Sequence, residues 1–267
     1  MTALALADLR SRWRSLVALA GGCFVVLIAL SGTYSAYGGA AGFAKSFGNG
    51  HTPRLFSAFS GSASTDIFTP QNFLAFGFGH PLFLVLALSV AITTGVGSVA
   101  SDVETGRSEL LFTAPVRPAS IVVARVAEWA VAQVGVIAGA IVGALIGIQL
   151  SGDLARVSVL VPFRAALQFA SLAFFVAGVA FAASAHARSR GSAFGATVGV
   201  TAGSYVANLV GLLWSPLSWV RWINPFGYYS PTQAAAHLQW GNAAALIAAG
   251  LVLFGAALFT VSRRDLA

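Results

Sequence analysis

The chain has 267 residues, of which 57% are hydrophobic and 9% are charged, and its formal net charge is +7. Soluble globular domains carry about 25% charged residues, so this composition excludes an ordinary soluble fold, whose surface it could not cover. In lipid only helices and closed barrels satisfy all backbone polar groups internally. Because the apolar segments are long and continuous, without the alternation of barrel strands, the sequence predicts an all-α integral membrane protein.

The first 15 residues favour a membrane interface. Leu6, Leu9, Trp13 and Leu16 recur at helical spacing, and polar side chains lie between them. This amphipathic pattern is typical of a helix that lies in the plane of the interface, so residues 1–15 are predicted to form an interfacial helix. The alternative is that they lengthen the first span, with arginine side chains reaching back to the interface.

Six apolar segments have about the 20 residues that a spanning helix needs. They are residues 16–38, 72–100, 121–150, 160–185, 193–214 and 243–261. The second is interrupted at His80-Pro81, since proline kinks or breaks a helix. The three arginines before the first segment, followed by Gly38-Gly39-Ala40, also allow a cleaved signal peptide, which would leave five spans.

Basic residues near the segment ends predict the orientation. The side that contains the N-terminus, the loop 101–120 and the C-terminus has ten of them, and the other side has five. The positive-inside rule then places both termini in the cytoplasm, and the preference for arginine over lysine favours a prokaryotic plasma membrane. A basic pI of about 10.5 often indicates nucleic-acid binding, but charges confined to segment ends argue against that partner.

Glycine recurs at every fourth residue in two of the segments. The third segment has Gly135, Gly139, Gly143 and Gly147. The fifth has Gly191, Gly195, Gly199 and Gly203, continued by Ala207 and Gly211. Stripes of small residues let helices approach closely in lipid, so each stripe is predicted to contact another helix, either within one subunit or across a dimer seam.

The sequence contains no motif for catalysis or nucleotide binding. It has no G-x-x-x-x-G-K-[ST] phosphate loop and no G-x-S-x-G nucleophile motif, and its four histidines lack metal-ligand spacing. Few ionisable residues lie in the spans, although ion-coupled transport depends on them. Glu128 is interpreted as an ion-pair partner of Arg125. We therefore expect a chain that is not an enzyme by itself and holds no metal or cofactor.

Three other segments are distinctive in combination. Residues 104–118 read E-T-G-R-S-E-L-L-F-T-A-P-V-R-P, residues 222–231 read W-I-N-P-F-G-Y-Y-S-P, and residues 263–266 read R-R-D-L. In their order and placement they resemble the permeases of type-2 ABC transporters, whose fold is shared with the eukaryotic subfamily G exporters. The resemblance extends over essentially the whole chain, residues 1–267, as a single transmembrane domain.

The resemblance implies the permease subunit of an ATP-driven exporter. Two permease copies, identical or similar, would form the substrate path, and two soluble ATPase subunits would hold ATP and Mg²⁺. The loop 101–120 would supply a coupling helix that binds the ATPase, and residues 186–190 a second contact. The expected coupling residues are Glu104, Gly106, Arg107, Glu109, Leu110, Leu111, Pro115, Arg117, Arg188 and Arg190.

The residues of the loop give their own reason for a docking role. Glu104 and Glu109 exclude the loop from lipid, while Leu110, Leu111 and Phe112 offer an apolar face to a soluble partner. The alternative is a solvated loop that only reverses the chain. An ion-gradient-driven secondary transporter or channel is the alternative function.

The outer side and the cavity are predicted from pattern and resemblance together. Aromatic residues and prolines are concentrated in residues 214–241, which predicts short re-entrant helices above the substrate path, or alternatively an interfacial aromatic belt. By resemblance the cavity walls come from the second and fifth spans. The candidate lining residues are Phe83, Thr94, Thr201 and Asn208.

Overall fold

The computed structural model describes residues 2–46, 54–61, 66–105 and 118–263, and this part of the chain is helical with no strand. The α-helices are α1 (Thr2–Ala36), α2 (Gly39–Ser46), α3 (Arg54–Phe59), α4 (Pro70–Gly79), α5 (Pro81–Val96), α6 (Ala100–Glu104), α7 (Pro118–Leu150), α8 (Leu160–His186), α9 (Arg190–Leu213), α10 (Val220–Ile223), α11 (Pro231–Ala236) and α12 (Trp240–Arg263). Short 3₁₀ turns occupy Gly152–Leu154, Ser215–Leu217 and Pro225–Tyr228.

Five helices are long and apolar enough to cross a membrane singly, and the bent pair of α4 and α5 makes a sixth when the two are counted as one broken span. The five are α1, α7, α8, α9 and α12, with the apolar stretches of α1 and α7 beginning at Trp13 and Val122. Each corresponds to one of the six predicted segments. The predicted class, an all-α integral membrane protein, is confirmed.

The second span is broken where the sequence predicts a break. The axes of α4 and α5 differ by 43° across His80. Pro81 is the first residue of α5, and the His80 Nδ1 atom accepts a hydrogen bond from the Leu82 amide at 3.3 Å. Because proline has no N–H to continue the ladder of α4, the chain restarts the helix in a new direction.

The first helix is continuous. It has 35 residues, which at 1.5 Å per residue is about 50 Å, longer than the roughly 30 Å hydrocarbon core of a bilayer. The backbone has no break between residues 2–15 and the span. Residues 2–15 therefore lengthen the first helix, as in the alternative to a separate interfacial helix. The position of its first turns at the membrane interface stays a prediction.

The third-span stripe of glycines packs inside the subunit. A Cβ atom placed on Gly139 would lie 2.7 Å from the Ala20 carbonyl oxygen, and one on Gly143 would lie 2.5 Å from the Phe24 carbonyl oxygen. Gly147 faces Ser31 equally closely, whereas nothing lies within 4 Å of a Cβ on Gly135. Because the contacts advance together along both helices, α1 and α7 run parallel. Three of the four glycines therefore serve close packing of α7 on α1.

The fourth span, α8, is the central helix of the bundle. It contacts α5, α9, α11 and α12, and 67% of its apolar stretch is buried, the highest share among the single spanning helices. Phe169 and Phe181 are fully buried on it. Burial of large aromatic side chains on several faces of one helix stabilises the bundle independently of lipid contacts.

The two ends of the bundle hold different loops. At one end, the Tyr34 hydroxyl donates to the Phe68 carbonyl at 2.7 Å, and the Thr232 hydroxyl donates to the Ser60 carbonyl at 3.2 Å. The other end holds the junctions of α6 with α8 and α9. We call these the outer end and the cytoplasmic end, following the predicted orientation. Arg164 lies at the outer end and Arg190 at the cytoplasmic end, and the orientation itself stays a prediction.

Candidate functional site

An apolar cavity of about 380 Å³ lies between the second and fifth spans. Its walls come from α5 and α9, and Phe226 closes its outer end. Within the described part of the chain, every lining residue is uncharged. These residues are Pro81, Leu84, Val85, Leu88, Ser89, Ile92, Thr93, Phe194, Val198, Thr201, Ala202, Tyr205 and Phe226.

Of the four candidate lining residues, the structure places one at the cavity. Thr201 lines it. Phe83 lies in the core instead, with ring centroids 5.2 Å from Phe78 and 4.9 Å from Phe169. Thr94 and Asn208 are buried but do not line the cavity. The cavity positions of α5 follow one helical face, and Phe83 lies on another.

The outer end of the cavity is held by Asn224. Its Nδ2 atom donates to the Ser204 carbonyl in α9 at 2.7 Å, and its Oδ1 atom accepts from the Phe226 amide at 2.9 Å. The second bond caps the 3₁₀ turn that carries Phe226, whose ring packs edge-on against Tyr205 with centroids 5.4 Å apart. Asn224, within the distinctive segment 222–231, thus fixes the position of Phe226, which lines the cavity.

The remaining outer segment is attached to α4 and α8. The Tyr229 hydroxyl donates to the Phe78 carbonyl at 2.7 Å, and Gln168 donates to the Tyr228 carbonyl at 3.0 Å. Burial, with a smaller contribution from Tyr205, raises the pKa of Tyr229 well above its usual value, so the phenol stays a donor. Arg164 donates to the last carbonyls of α11. Residues 214–236 therefore form short helices and turns packed against the spans.

One face of α9 is not covered by the described part of this chain. Nothing lies within 4 Å of Cβ atoms placed on Gly191, Gly195, Gly199 and Gly203. The stripe is covered only at its outer end, where Gly211 approaches the Leu217 carbonyl and the Arg221 side chain. The two glycine stripes of the sequence therefore differ, since that of α7 is internal and that of α9 is open.

Three polar side chains lie on the other side of α9, away from the glycine stripe. The Thr201 Oγ1, Tyr205 OH and Asn208 Oδ1 atoms are buried, and within the described residues they have no hydrogen-bond partner. They lie at positions i, i+4 and i+7, on one face of the helix. A buried polar atom without a partner costs free energy. Within the described residues such atoms also occur in α7, at Trp129 and Gln133, so they do not distinguish α9.

At the cytoplasmic end the structure brings together two of the expected coupling residues. A Glu104 carboxylate oxygen accepts a hydrogen bond from the Arg190 backbone amide at 2.7 Å. Arg188 is exposed in the turn between α8 and α9. The carboxylate and the amide come from residues 86 positions apart, at the end of α6 and the start of α9.

The other expected coupling residues lie outside the described residues, and their role stays a prediction. They are Gly106, Arg107, Glu109, Leu110, Leu111, Pro115 and Arg117. The described chain stops at Thr105 and resumes at Pro118, so both ends of this loop are positioned at the cytoplasmic end of the bundle.

Two further polar contacts organise that end. Ser184, which is fully buried, accepts hydrogen bonds from the Val99 and Ala100 amides at 3.1 and 3.0 Å. The predicted ion pair is present, with Arg125 and Glu128 3.0 Å apart. Ser184 was not a candidate in the sequence, because a serine in an apolar span has no pattern that predicts its partner.

Comparison with known proteins identifies one matching family. No curated protein matches the chain, and no solved structure matches it. The family profile described as ABC-2 family transporter protein matches residues 2–266. Because that match covers nearly the whole chain and agrees with its six-span helical fold, the protein belongs to the ABC-2 transporter family and is a membrane permease of an ABC transporter.

Proposed function

We propose that this permease works as a dimer that exports uncharged, lipophilic molecules and is driven by separate ATPase subunits. The ATPase subunits, expected in two copies, would hold ATP and Mg²⁺, and the permease itself would have no cofactor. The observation that carries the proposal is the uncovered face of α9 beside an apolar cavity.

The low mean hydropathy of α9 favours contact of its uncovered face with another helix over contact with lipid. Its mean hydropathy is 1.4, against 2.0 to 2.4 for the other four single spanning helices, yet only 22% of it is buried. A polar, glycine-rich face gains little from lipid but packs well against another helix. Since the described residues of this chain do not cover it, a second permease copy is the fitting partner.

The cavity lies next to the uncovered face of α9, and its uncharged lining indicates which molecules it can accept. Thr201 and Ala202 line the cavity on α9, and the open Gly203 follows directly. In a dimer joined through α9, the cavities of the two subunits would therefore border one shared path. A charged molecule would lose its hydration there without gaining a partner, whereas an uncharged lipophilic molecule would gain by apolar burial.

The link to an ATPase is supported by the cytoplasmic loop. Residues 106–117, which carry Glu109 and the apolar Leu110 and Leu111, start and end at the same end of the bundle as the exposed Arg188. Ion-gradient coupling has less support, because the Glu128 carboxylate inside α7 is already paired with Arg125.

The test is affinity purification of the protein in mild detergent from its native cells, followed by an ATPase assay of the eluate. An ATPase subunit should co-purify with the unchanged protein, and Leu111→Asp should release it. Leu55→Asp is the matched control, since Leu55 is an exposed leucine at the outer end. Absence of any ATPase, with flux that depends on an ion gradient, would instead establish the secondary-transport alternative.

The same eluate tests the cargo. Uncharged lipophilic compounds should stimulate ATP hydrolysis more than charged compounds of similar size. Equal or stronger stimulation by charged compounds would contradict the proposed character of the cavity.

A further inference from the structure

We propose that Glu104 transmits movement of the loop 106–117 to α9 by holding the first turn of that helix. The inference rests on the proposed function and deepens it. It assigns Glu104 a positioning role inside this chain, at the contact between the end of α6 and the start of α9. In this role Glu104 does not contact the ATPase.

The contact is a strong one for an exposed position. The Glu104 carboxylate accepts from the Arg190 backbone amide at 2.7 Å, and hydrogen bonds to an ionised acceptor are shorter and stronger than neutral ones. Arg190 is the first residue of α9 and Ser189 is its N-cap, accepting from the Ser192 amide. The first amides of a helix have no partner within it, and the positive end of its dipole favours a carboxylate there.

The short helix α6 is anchored at its other end. Ser184 of α8 binds the Val99 and Ala100 amides. Ala100 also packs in a cluster of small buried residues with Ala180 and Ala193. The start of α6 is therefore fixed to α8, and its last residue is bonded to α9. A displacement that arrives at Thr105 can reach the first turn of α9 through Glu104.

The other end of the loop leads into a different helix, α7, which contacts α1 and α5. The loop re-enters the bundle at α7, which packs closely on α1 through Gly139 and Gly143, and α7 contributes none of the lining residues. By contrast, α9 contributes Phe194, Val198 and Thr201. Movement that enters through α6 and Glu104 therefore reaches the α9 wall of the cavity, whereas movement that enters through α7 acts on α1 and α5.

The experiment measures a response of α9 to nucleotide and needs no knowledge of the cargo. Cys23, the single cysteine of the chain, is replaced by alanine, and Ala202, an exposed lining residue of α9, is replaced by cysteine. The rate of maleimide labelling of residue 202 is measured in the complex with the co-purified ATPase, without nucleotide and with ATP and vanadate.

With Glu104 intact, nucleotide should change the labelling rate. Glu104→Ala should reduce that change by at least about fivefold, the lower end of typical coupling factors, while the ATPase subunit stays bound. Glu104→Gln, which keeps an acceptor oxygen, should retain part of the response. Thr105→Ala is the matched control, because the Thr105 hydroxyl bonds only to the Ser101 carbonyl within this segment.

A full nucleotide response in Glu104→Ala would overturn the proposal, as would equal loss in Thr105→Ala, which would indicate general loosening of α6. Hydrogen exchange of the peptide that contains Arg190, measured on the permease alone, separates this inference from the proposed function. Unchanged exchange in Glu104→Ala would show that the link is absent whether or not an ATPase binds. Absence of the ATPase from the unchanged protein would count against the proposed function.

Discussion

At the scale of single residues, Ser184 shows how a polar side chain is accommodated in the middle of an apolar bundle. It is fully buried, accepts from two amides at the break between α5 and α6, and donates to the Val96 carbonyl at 2.9 Å. All of its partners are backbone groups that the end of a helix would leave unsatisfied. The Ser184 side chain therefore stabilises the junction between α5 and α6.

Ser184→Ala should destabilise the protein. It leaves the Val99 and Ala100 amides buried without a partner, at a cost of about 1–3 kcal/mol. The measurement is thermal unfolding of the purified protein in detergent. Ser262→Ala is the control, since the Ser262 hydroxyl is exposed and bonds to the Phe259 carbonyl within α12. Equal unfolding temperatures for the two variants would contradict the assigned role.

Gly143→Ala should also destabilise, because the added methyl group would lie 2.5 Å from the Phe24 carbonyl oxygen and 2.9 Å from the Phe24 Cα atom. Forced separation of two packed helices costs about 1–3 kcal/mol. Gly135→Ala, in the same helix but in open space, should keep or raise stability, since alanine is the better helix former by about 1 kcal/mol. Thermal unfolding of both variants checks the contrast, and similar losses in the two would be evidence against α1–α7 packing at Gly143.

At the scale of elements, the outer segment depends on side-chain contacts more than on helix formation. Its pieces, such as α10 with four residues and α11 with six, are shorter than the roughly 12 residues at which isolated helices become marginally stable in water. Asn224, Tyr229 and Arg164 provide the bonds that hold them against the spans. The segment is therefore expected to respond to loss of a single side chain.

Asn224→Ala should loosen the segment around Phe226, because both the cap and the bond to the Ser204 carbonyl are lost. Asn224→Asp keeps an acceptor for the Phe226 amide and should preserve the turn while weakening its attachment to α9. Hydrogen exchange of peptides within 215–230 measures both effects. The control is Gln239→Ala, which removes an exposed bond to the His237 carbonyl at the same end. Unaltered exchange in Asn224→Ala would show that Asn224 does not hold this segment.

At the scale of the whole molecule, the described part of the chain leaves the glycine stripe of α9 uncovered. The open stripe of α9 and its unsatisfied polar atoms lie along the same helix as the cavity wall. The α1–α7 pair, in contrast, is already closely packed within the subunit. A second copy is therefore expected to bind at α9 and not at α7.

Gly199→Leu should weaken the dimer and leave the fold of the subunit intact, since a side chain at Gly199 meets no atom of its own chain within the described residues. The measurement is the mass of the detergent-solubilised protein by light scattering or native mass spectrometry. Gly255→Leu in α12 is the control, because that glycine also faces open space in a span. A dimer that survives Gly199→Leu unchanged would place the seam elsewhere.

Much of the fold was predictable because hydrophobicity acts locally along the chain. The spanning segments, the break at Pro81 and the close-packing glycine face of α7 all follow from residues that are neighbours in sequence. The candidate site was less predictable. Thr201 lines the apolar cavity, and its role in transport stays a prediction. Phe83 packs against Phe169 in α8, because the rotation of α5 about its own axis depends on contacts that the sequence pattern does not specify.

The sequence by itself determined the membrane class, the positions of the spanning segments and the family resemblance, since composition and short motifs carry that information without any long-range contact. The tertiary structure decided which glycine stripe is internal, which face of α5 lines the cavity, and that Glu104 bonds to the first amide of α9. These outcomes depend on the rotation and pairing of helices, and the Glu104–Arg190 contact joins residues 86 positions apart. No pattern of neighbouring residues specifies such a contact, because it exists only after the helices have packed.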